Sequence, residues 1–366
     1  MKNTKYMITK PTLLLDEEKC GKNIKAMFLK AQQNRVSFRP HFKTHQSLEI
    51  GRWFKELAVD KITVSSLKMA QYFSEEWNDI TVAFPVNILE IATINQLAEK
   101  IHLNLLIEST NTIDFLKKNL KHKVGFFIKI DVGYHRAGIL PTDIDMISNI
   151  LAQAGEGDKL IFKGFLTHAG HAYTCRMPEE IIDVHKKSEE QLIILKERYK
   201  AKYPDFILSI GDTPTCSVVE DFSSIDEIRP GNFVFYDLSQ YQIGSCTIDQ
   251  IAVAMACPIV AIHETRNEIV IYGGGVHFSK ERLEDEKYGT IYGKVVEKKG
   301  NIWGNLIPDM YLKSLSQEHG IVAVPKSKVS EYEIGDLLLI LPVHSCMTGN
   351  LMKEYVTIDG RMIERI

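Results

Sequence analysis

The chain has 366 residues, 45% apolar and 25% charged, a globular composition that excludes wholesale disorder, a coiled-coil rod and a collagen-like repeat. Its 44 basic and 47 acidic residues give a formal net charge of −3 and are mixed along the chain, so no basic block offers a grip on nucleic acid. The longest uncharged apolar runs, Ile251–Ile262 and Leu337–Val343, fall short of the roughly 20 residues that span a bilayer, which predicts no membrane partner. The opening residues lack a signal-peptide stretch, and Cys20, Cys175, Cys216, Cys246, Cys257 and Cys346 are scattered without a CxxC pair. Reduced thiols in a cytoplasmic protein are the expectation.

In chain order, short β-branched runs alternate with helical patterns. Thr12–Asp16 reads as a strand and Glu18–Gln33 as a helix. The strands Val36–Phe42, Lys61–Ser66, Asp79–Phe84 and His102–Glu108 follow, each with a helix after it. Val124–Val132, Leu160–His168 and Phe206–Ile210 continue the pattern, the last before a short helix near Thr215–Asp221. Parallel strands need crossovers, and helices supply them. About eight βα units predict an α/β chain built on a (β/α)8 TIM-type barrel over residues 11–238. No GxGxxG follows the first strand, which counts against a dinucleotide fold. From Ser239 the rhythm changes. Thr247–Val260, Glu268–Tyr272, Gly320–Val324 and Asp336–Val343 read as strands separated by turns, predicting an all-β domain over 239–366 together with residues 1–10.

Four segments carry candidate chemistry. Arg39-Pro40-His41-Phe42-Lys43-Thr44-His45 ends the second predicted strand, where a barrel places its active site. Crowded cations lower a lysine's pKa, as an amine nucleophile requires. Asp131–Gly138, with Arg136, ends the sixth strand and offers a fixed cation for a phenolate or carboxylate. Ser209–Thr215 follows the eighth strand, and Arg229-Pro230-Gly231-Asn232 lies close behind; small residues there expose backbone N–H groups to an anion. Pro342–Thr348 ends an apolar strand and contains His344 and Cys346, which at spacing i, i+2 share a strand face and suit zinc. Read alone, each segment also fits a bland account: a solvated basic turn, a structural ion pair, ordinary helix caps, and a buried thiol beside a hydrogen-bonded histidine.

Taken in order, PTLLLD, RPHFKTH, IDVGYHRAGI, THAGHAY, SIGDTPT, EIRPGNFVFYD, YGGGVHFSK, LSQEHG and LPVHSCMTGN resemble the fold-type III pyridoxal-phosphate enzymes, within them the D-serine dehydratase and D-threonine aldolase family with its alanine racemase-like barrel. The resemblance runs from Pro11 to Asn350. It implies that Lys43 carries pyridoxal 5'-phosphate and acts as the catalytic base, that Arg136 meets the cofactor's phenolic oxygen, and that Gly211, Thr213, Gly231 and Asn232 cradle its phosphate. Tyr173 and Arg229 would lie near the pyridine ring, and His344 and Cys346 would bind a divalent metal, zinc or manganese.

The implied activity is a cofactor- and metal-dependent lyase on a small D-3-hydroxy amino acid. Dehydration to a keto acid and ammonia is favoured over aldol cleavage to glycine and an aldehyde. In this family the dehydratases carry H-x-C where D-threonine aldolases carry H-x-D, and here the third position is Cys346. A racemase would need a second base, for which Tyr272, Tyr288 and Tyr292 are the candidates. A non-enzymatic cofactor-binding protein of the same barrel type would lack the β domain. The fold type implies a homodimer.

Overall fold

The computed structural model describes residues 7–300 and 302–366. Lys25–Gly231 forms one compact unit, and the segments before and after it form the other. Among the described residues no helix is long and apolar enough to cross a membrane.

The first unit is the barrel. Its strands are β2 (Ser37–Phe38), β3 (Lys61–Val64), β4 (Asp79–Pro85), β5 (His102–Ile107), β6 (Val124–Ile130), β7 (Leu160–Thr167), β8 (Ile207–Ile210) and β9 (Glu227–Ile228), numbered after β1 (Thr12–Leu15). They form one eight-stranded parallel sheet in the order β2-β9-β8-β7-β6-β5-β4-β3. A parallel bridge between His41 and Thr63 draws the two edges together, so the barrel is nearly closed. Strands buried on both faces read as continuous apolar runs, and β6, VGFFIKI, is buried at every position.

Helices α1 (Glu17–Gln33), α2 (Leu48–Lys55), α3 (Leu67–Phe73), α4 (Ile91–Ala98), α5 (Thr110–Asn119), α6 (Ile144–Gly155), α7 (Pro178–Tyr199) and α8 (Thr213–Val218) follow β1 to β8 in turn. Several βα turns end on a capping side chain that accepts an otherwise orphan N–H. Ser66 takes Met69 N at 3.1 Å, Ser109 takes Thr112 N at 3.2 Å, and Asp212 takes Thr215 N at 2.7 Å.

The second unit holds a nine-stranded sheet built mainly of antiparallel pairs, in the order β11-β16-β15-β14-β17-β10-β1-β18-β19. The remaining strands are β10 (Val253–His263), β11 (Glu268–Tyr272), β12 (Leu283–Asp285), β13 (Gly289–Ile291), β14 (Gly293–Lys299), β15 (Ile302–Leu315), β16 (His319–Ala323), β17 (Leu337–Pro342), β18 (Glu354–Thr357) and β19 (Met362–Glu364). β12 and β13 pair separately. Short helices α9 (Leu238–Gln242), α10 (Gly275–Phe278) and α11 (Ser345–Leu351) punctuate the strands.

Two assignments differ from the sequence reading. Thr12–Leu15 is a strand, but it is not the first of the barrel: it pairs antiparallel with β10 and parallel with β18. The eighth barrel strand is instead Glu227–Ile228, two residues long, inserted between β2 and β8. A strand's partner is a non-local choice, and local periodicity carries no record of it.

Candidate active site

In the barrel unit Lys43 lies in a turn just after β2. Phe42 is fully buried, and its ring centroid lies 4.4 Å from that of His45, 5.0 Å from those of Phe54 and Phe73, and 5.1 Å from that of Trp77. Phe42 N donates to Thr63 O at 2.9 Å, Lys43 N to His41 Nδ1 at 3.3 Å, and Gln46 Nε2 to Lys43 O at 2.9 Å. The main chain on both sides of the lysine is thereby fixed, while its side chain is only half-buried.

The surroundings of Lys43 are cationic. Desolvation holds His41 well below the ordinary imidazole pKa, with the charges of Lys43 and Arg229 acting in the same direction. Desolvation also holds His168 well below it, again with Lys43, Lys129 and Arg136 adding to the effect; its Nδ1 pairs with Gly211 O. Both imidazoles are neutral at physiological pH, and the side-chain charges acting on them are cations or other imidazoles. Lys129, buried within β6, is pulled down to about 7, first by burial and then by Arg229 and Arg136.

The predicted residues of this unit gather around that cluster. Asp131 is held below the usual carboxylate range: burial alone would raise it, but N–H groups of His135 and Gly133, each 3.0 Å away, outweigh that, aided by His135 Nδ1 at 3.0 Å. This turn presents Arg136, whose guanidinium stacks on the Tyr134 ring, 4.9 Å from its centroid. Tyr173 OH accepts from Thr213 N at 3.4 Å, and the Tyr173 ring lies 6.2 Å from that of His168. A Cβ on Gly211 would stand 2.8 Å from Arg229 Cβ, and one on Gly231 2.9 Å from His41 O. These two glycines let the phosphate-type turns close on the arginine and the lysine loop. Arg229 is buried and makes no ion pair among the described residues. A buried cation with no direct ion pair among the described residues, beside a lysine and two neutral imidazoles, fits a phosphorylated aldehyde that brings its own negative charge.

In the other unit, Asn232, His344 and Cys346 come together. The side chain of Asn232 donates to Asp237 Oδ2 at 2.6 Å, Ser345 Oγ at 3.1 Å and Cys346 Sγ at 3.4 Å. Its amide is thus directed at the histidine–cysteine loop. Asp237 Oδ2 also accepts from Ser345 N at 2.9 Å, and Val343 O takes both the N–H and the hydroxyl of Ser239. The predicted strand-face geometry is corrected here: β17 stops at Pro342, His344 caps α11 in an extended conformation, and Cys346 sits in the helix's first turn. The Asp237–Ser345 bonds start a helix where the sequence suggested a continuing strand. The two side chains nonetheless hydrogen-bond to each other. Burial lowers the His344 pKa, but the hydrogen bond and charge of Cys346, with Asp237 and Glu281 behind, push it up to about 9. Among the described residues no third carboxylate, imidazole or thiol completes a metal cluster with them. One imidazole and one thiol facing the same space fit a borderline metal such as zinc with coordination positions left open. Tyr288, a candidate second base for racemisation, donates its hydroxyl to Asp309 Oδ1 at 2.6 Å.

Sequence reasoning passed over Lys129 and gave no role to the side chain of Glu227. A lysine inside an apolar strand and an acid in a two-residue strand carry no motif; the one available signal was a charge in the middle of a buried run.

Residues 15–239 match the family described as "Alanine racemase, N-terminal domain", and residues 252–358 match "Putative serine dehydratase domain". The chain belongs to the D-serine dehydratase and D-threonine aldolase family of fold-type III pyridoxal-phosphate enzymes. The D-serine dehydratase of Dictyostelium discoideum is 31% identical over 96% of this chain and 93% of its own length. The solved D-threo-3-hydroxyaspartate dehydratase from Delftia sp. HT23 superposes with a TM-score of 0.91 at 25% identity, covering 100% of this chain and 99% of that one. Solved variants of D-threo-3-hydroxyaspartate dehydratase replace a cysteine, in a metal-free form, and a histidine two positions earlier; their TM-scores are 0.92 and 0.91.

Proposed function

We propose that the chain is a lyase, dependent on pyridoxal phosphate and a divalent metal, that dehydrates a small D-3-hydroxy amino acid to a keto acid and ammonia. The observation that carries the reading is the His344–Cys346 pair, hydrogen-bonded in a loop that Asp237 and Asn232 hold in place. The same histidine–cysteine spacing was altered in the solved variants of the dehydratase, one of them metal-free. An aldolase of this family would carry an acid at position 346.

Lys43 would hold the cofactor through its amine, with Arg136, Tyr173, Gly211, Thr213, Arg229 and Gly231 around it, and Asn232 serving the metal loop through its side chain. When bound, the cofactor supplies an electron sink for the electrons released at Cα. A zinc or manganese ion on His344 and Cys346 would supply Lewis acidity toward a β-hydroxyl. Lys43 Nζ would be the base that takes the Cα proton of the bound substrate. A single base on one side admits one Cα configuration, and the D substrates of the relatives assign it as D. Arg136 and Arg229 keep positive charge beside the anionic ligand, and His41 and His168, held neutral, add hydrogen-bonding capacity without further charge. Loss of Cα–H and of the β-hydroxyl expels water and leaves an enamine acid. That acid takes up water and releases ammonia, so no oxidant is consumed.

The reading also includes a homodimer working in the cytosol; all six cysteines are free thiols. A panel of D-serine, L-serine, D-threonine, D-allothreonine and threo-3-hydroxyaspartate, scored for ammonia, glycine and inverted amino acid, tests it. Ammonia from D substrates alone supports dehydration. Glycine as the main product would move the assignment to aldol cleavage, and inverted amino acid to racemisation.

A further inference from the structure

Four buried side chains in the barrel unit lie on one hydrogen-bonded chain that ends at Asp79. Arg39 donates through Nη1 to Asp79 Oδ1 at 2.6 Å and through Nε to Glu227 Oε2 at 2.7 Å. Ser209 Oγ donates to Glu227 Oε1 at 2.6 Å, and Arg229 Nε donates to Ser209 Oγ at 2.7 Å. Arg39, Ser209, Glu227 and Arg229 are each at most 4% exposed. The direction of the chain is fixed: Ser209 has one proton, given to Glu227, and its lone pair takes the proton of Arg229.

The arrangement separates Arg229 from the Glu227 carboxylate by one hydroxyl. Its remaining bonds go to neutral acceptors, Thr167 O at 2.5 Å and Ser209 O at 3.4 Å. Arg39 occupies the other oxygen of Glu227 and is itself held by Asp79, so Glu227 is tethered on its far side. A direct ion pair would spend the charge of Arg229 on the protein. The hydroxyl spacer orients the guanidinium and leaves its charge available.

Resting on the reading of Arg229 as a contact of the cofactor ring, we propose that Ser209 and Glu227 are positioning residues that hold Arg229 oriented and charged toward the bound cofactor. Burial draws the Arg229 pKa down to about 10, and Glu227 is the foremost group opposing that loss. In this account the acid acts on the cofactor without touching it, through one serine.

The test is a double-mutant cycle on the full chain. Ser209→Ala cuts the chain at one hydroxyl and leaves Arg39 with both of its carboxylates. Glu227→Gln removes the charge. Apoprotein is titrated with pyridoxal phosphate, and loaded protein is prepared with cofactor labelled at the ring nitrogen for 15N spectroscopy. Each single variant should bind the cofactor about ten- to a hundredfold more weakly. Each should move the ring-nitrogen resonance in the same direction, and the double variant should be no worse than the stronger single. If Glu227→Gln fails to fold, Ser209→Ala decides alone. A Ser209→Ala protein with wild-type affinity and an unmoved resonance overturns the proposal, as do additive losses in the double variant. Wild-type protein that takes up no pyridoxal phosphate would instead overturn the functional reading, and this inference with it.

Discussion

Phe42 and Trp77 meet edge to face, ring centroids 5.1 Å apart and planes at 89°, and the residue after Phe42 is Lys43. Both rings are almost wholly buried. An aromatic cluster of this kind resists rearrangement, since each ring contributes packing beyond its area. The lysine turn is therefore anchored from beneath by core packing, in addition to the main-chain hydrogen bonds of Lys43.

Phe42→Ala should cost about 3–5 kcal/mol of stability, the usual range for an aromatic deleted from a packed core. It should also loosen the lysine turn, so that cofactor binding weakens at temperatures where the variant is still folded. Chemical denaturation and a cofactor titration at 15 °C check both. A variant that loses stability but binds the cofactor normally would show that Lys43 is positioned by other contacts.

Metal removal should separate two functions. Lys43 and the cationic cluster need no metal, so chelated protein should keep its cofactor absorption band and still react with a substrate amine. Release of ammonia from a D-3-hydroxy substrate should fall at least about a hundredfold, because hydroxide leaves poorly without a Lewis acid. His344→Ala and Cys346→Ala should behave like chelation. Cys346→Asp should gain glycine production from D-threonine relative to keto acid.

Asp237 ties three partners of the metal loop with one oxygen: Asn232 Nδ2, Ser345 N and Ser345 Oγ. Asp237→Ala leaves buried donors without their acceptor, at a cost of about 1–3 kcal/mol each. Metal affinity, measured by competition with a chromophoric chelator, should drop about ten- to a hundredfold, as supporting residues of metal ligands generally show. Unchanged metal affinity would mean that His344 and Cys346 are ordered without it.

His185, buried on α7 against Phe222, has its pKa lowered by burial from 6.5 to about 4. The unfolded chain binds a proton below pH 6.5 where the folded chain does not, so stability is lost as pH falls from 6.5 toward 4. The group accounts for about 3 kcal/mol of that loss by pH 4. His185→Phe should flatten this part of the stability profile and leave neutral pH nearly unchanged; equal acid sensitivity in both proteins would contradict the assignment.

The barrel was legible because its evidence is local. Alternating strand and helix periods recur along the chain, and the segments holding Lys43, Arg136 and Gly211 fall at strand ends. What was not legible depends on partners distant in sequence. Thr12–Leu15 has a strand's pattern, yet only its register with Val253–Ala256 reveals which sheet it joins. Glu227 meets Arg39 across most of the barrel unit's sequence, and a two-residue strand gives no periodicity to detect. Lys129 is hidden inside an apolar run whose reading as a buried strand was correct. The His344–Cys346 pair was found through a strand geometry that the chain does not adopt; the two side chains converge because an extended cap residue precedes a helical turn.

The proposed reaction needs Lys43 to carry the cofactor in an enzyme that dehydrates D substrates. It is tested most directly by one measurement on purified, metal-loaded protein: ammonia and keto acid released from D- and L-threo-3-hydroxyaspartate and from D- and L-serine, before and after borohydride reduction of the cofactor onto its lysine. Stoichiometric keto acid and ammonia should appear from a D isomer only, with complete loss of turnover after reduction and the reduced cofactor on Lys43. Turnover of both enantiomers, or glycine in place of ammonia, or the cofactor recovered on another lysine, would contradict it.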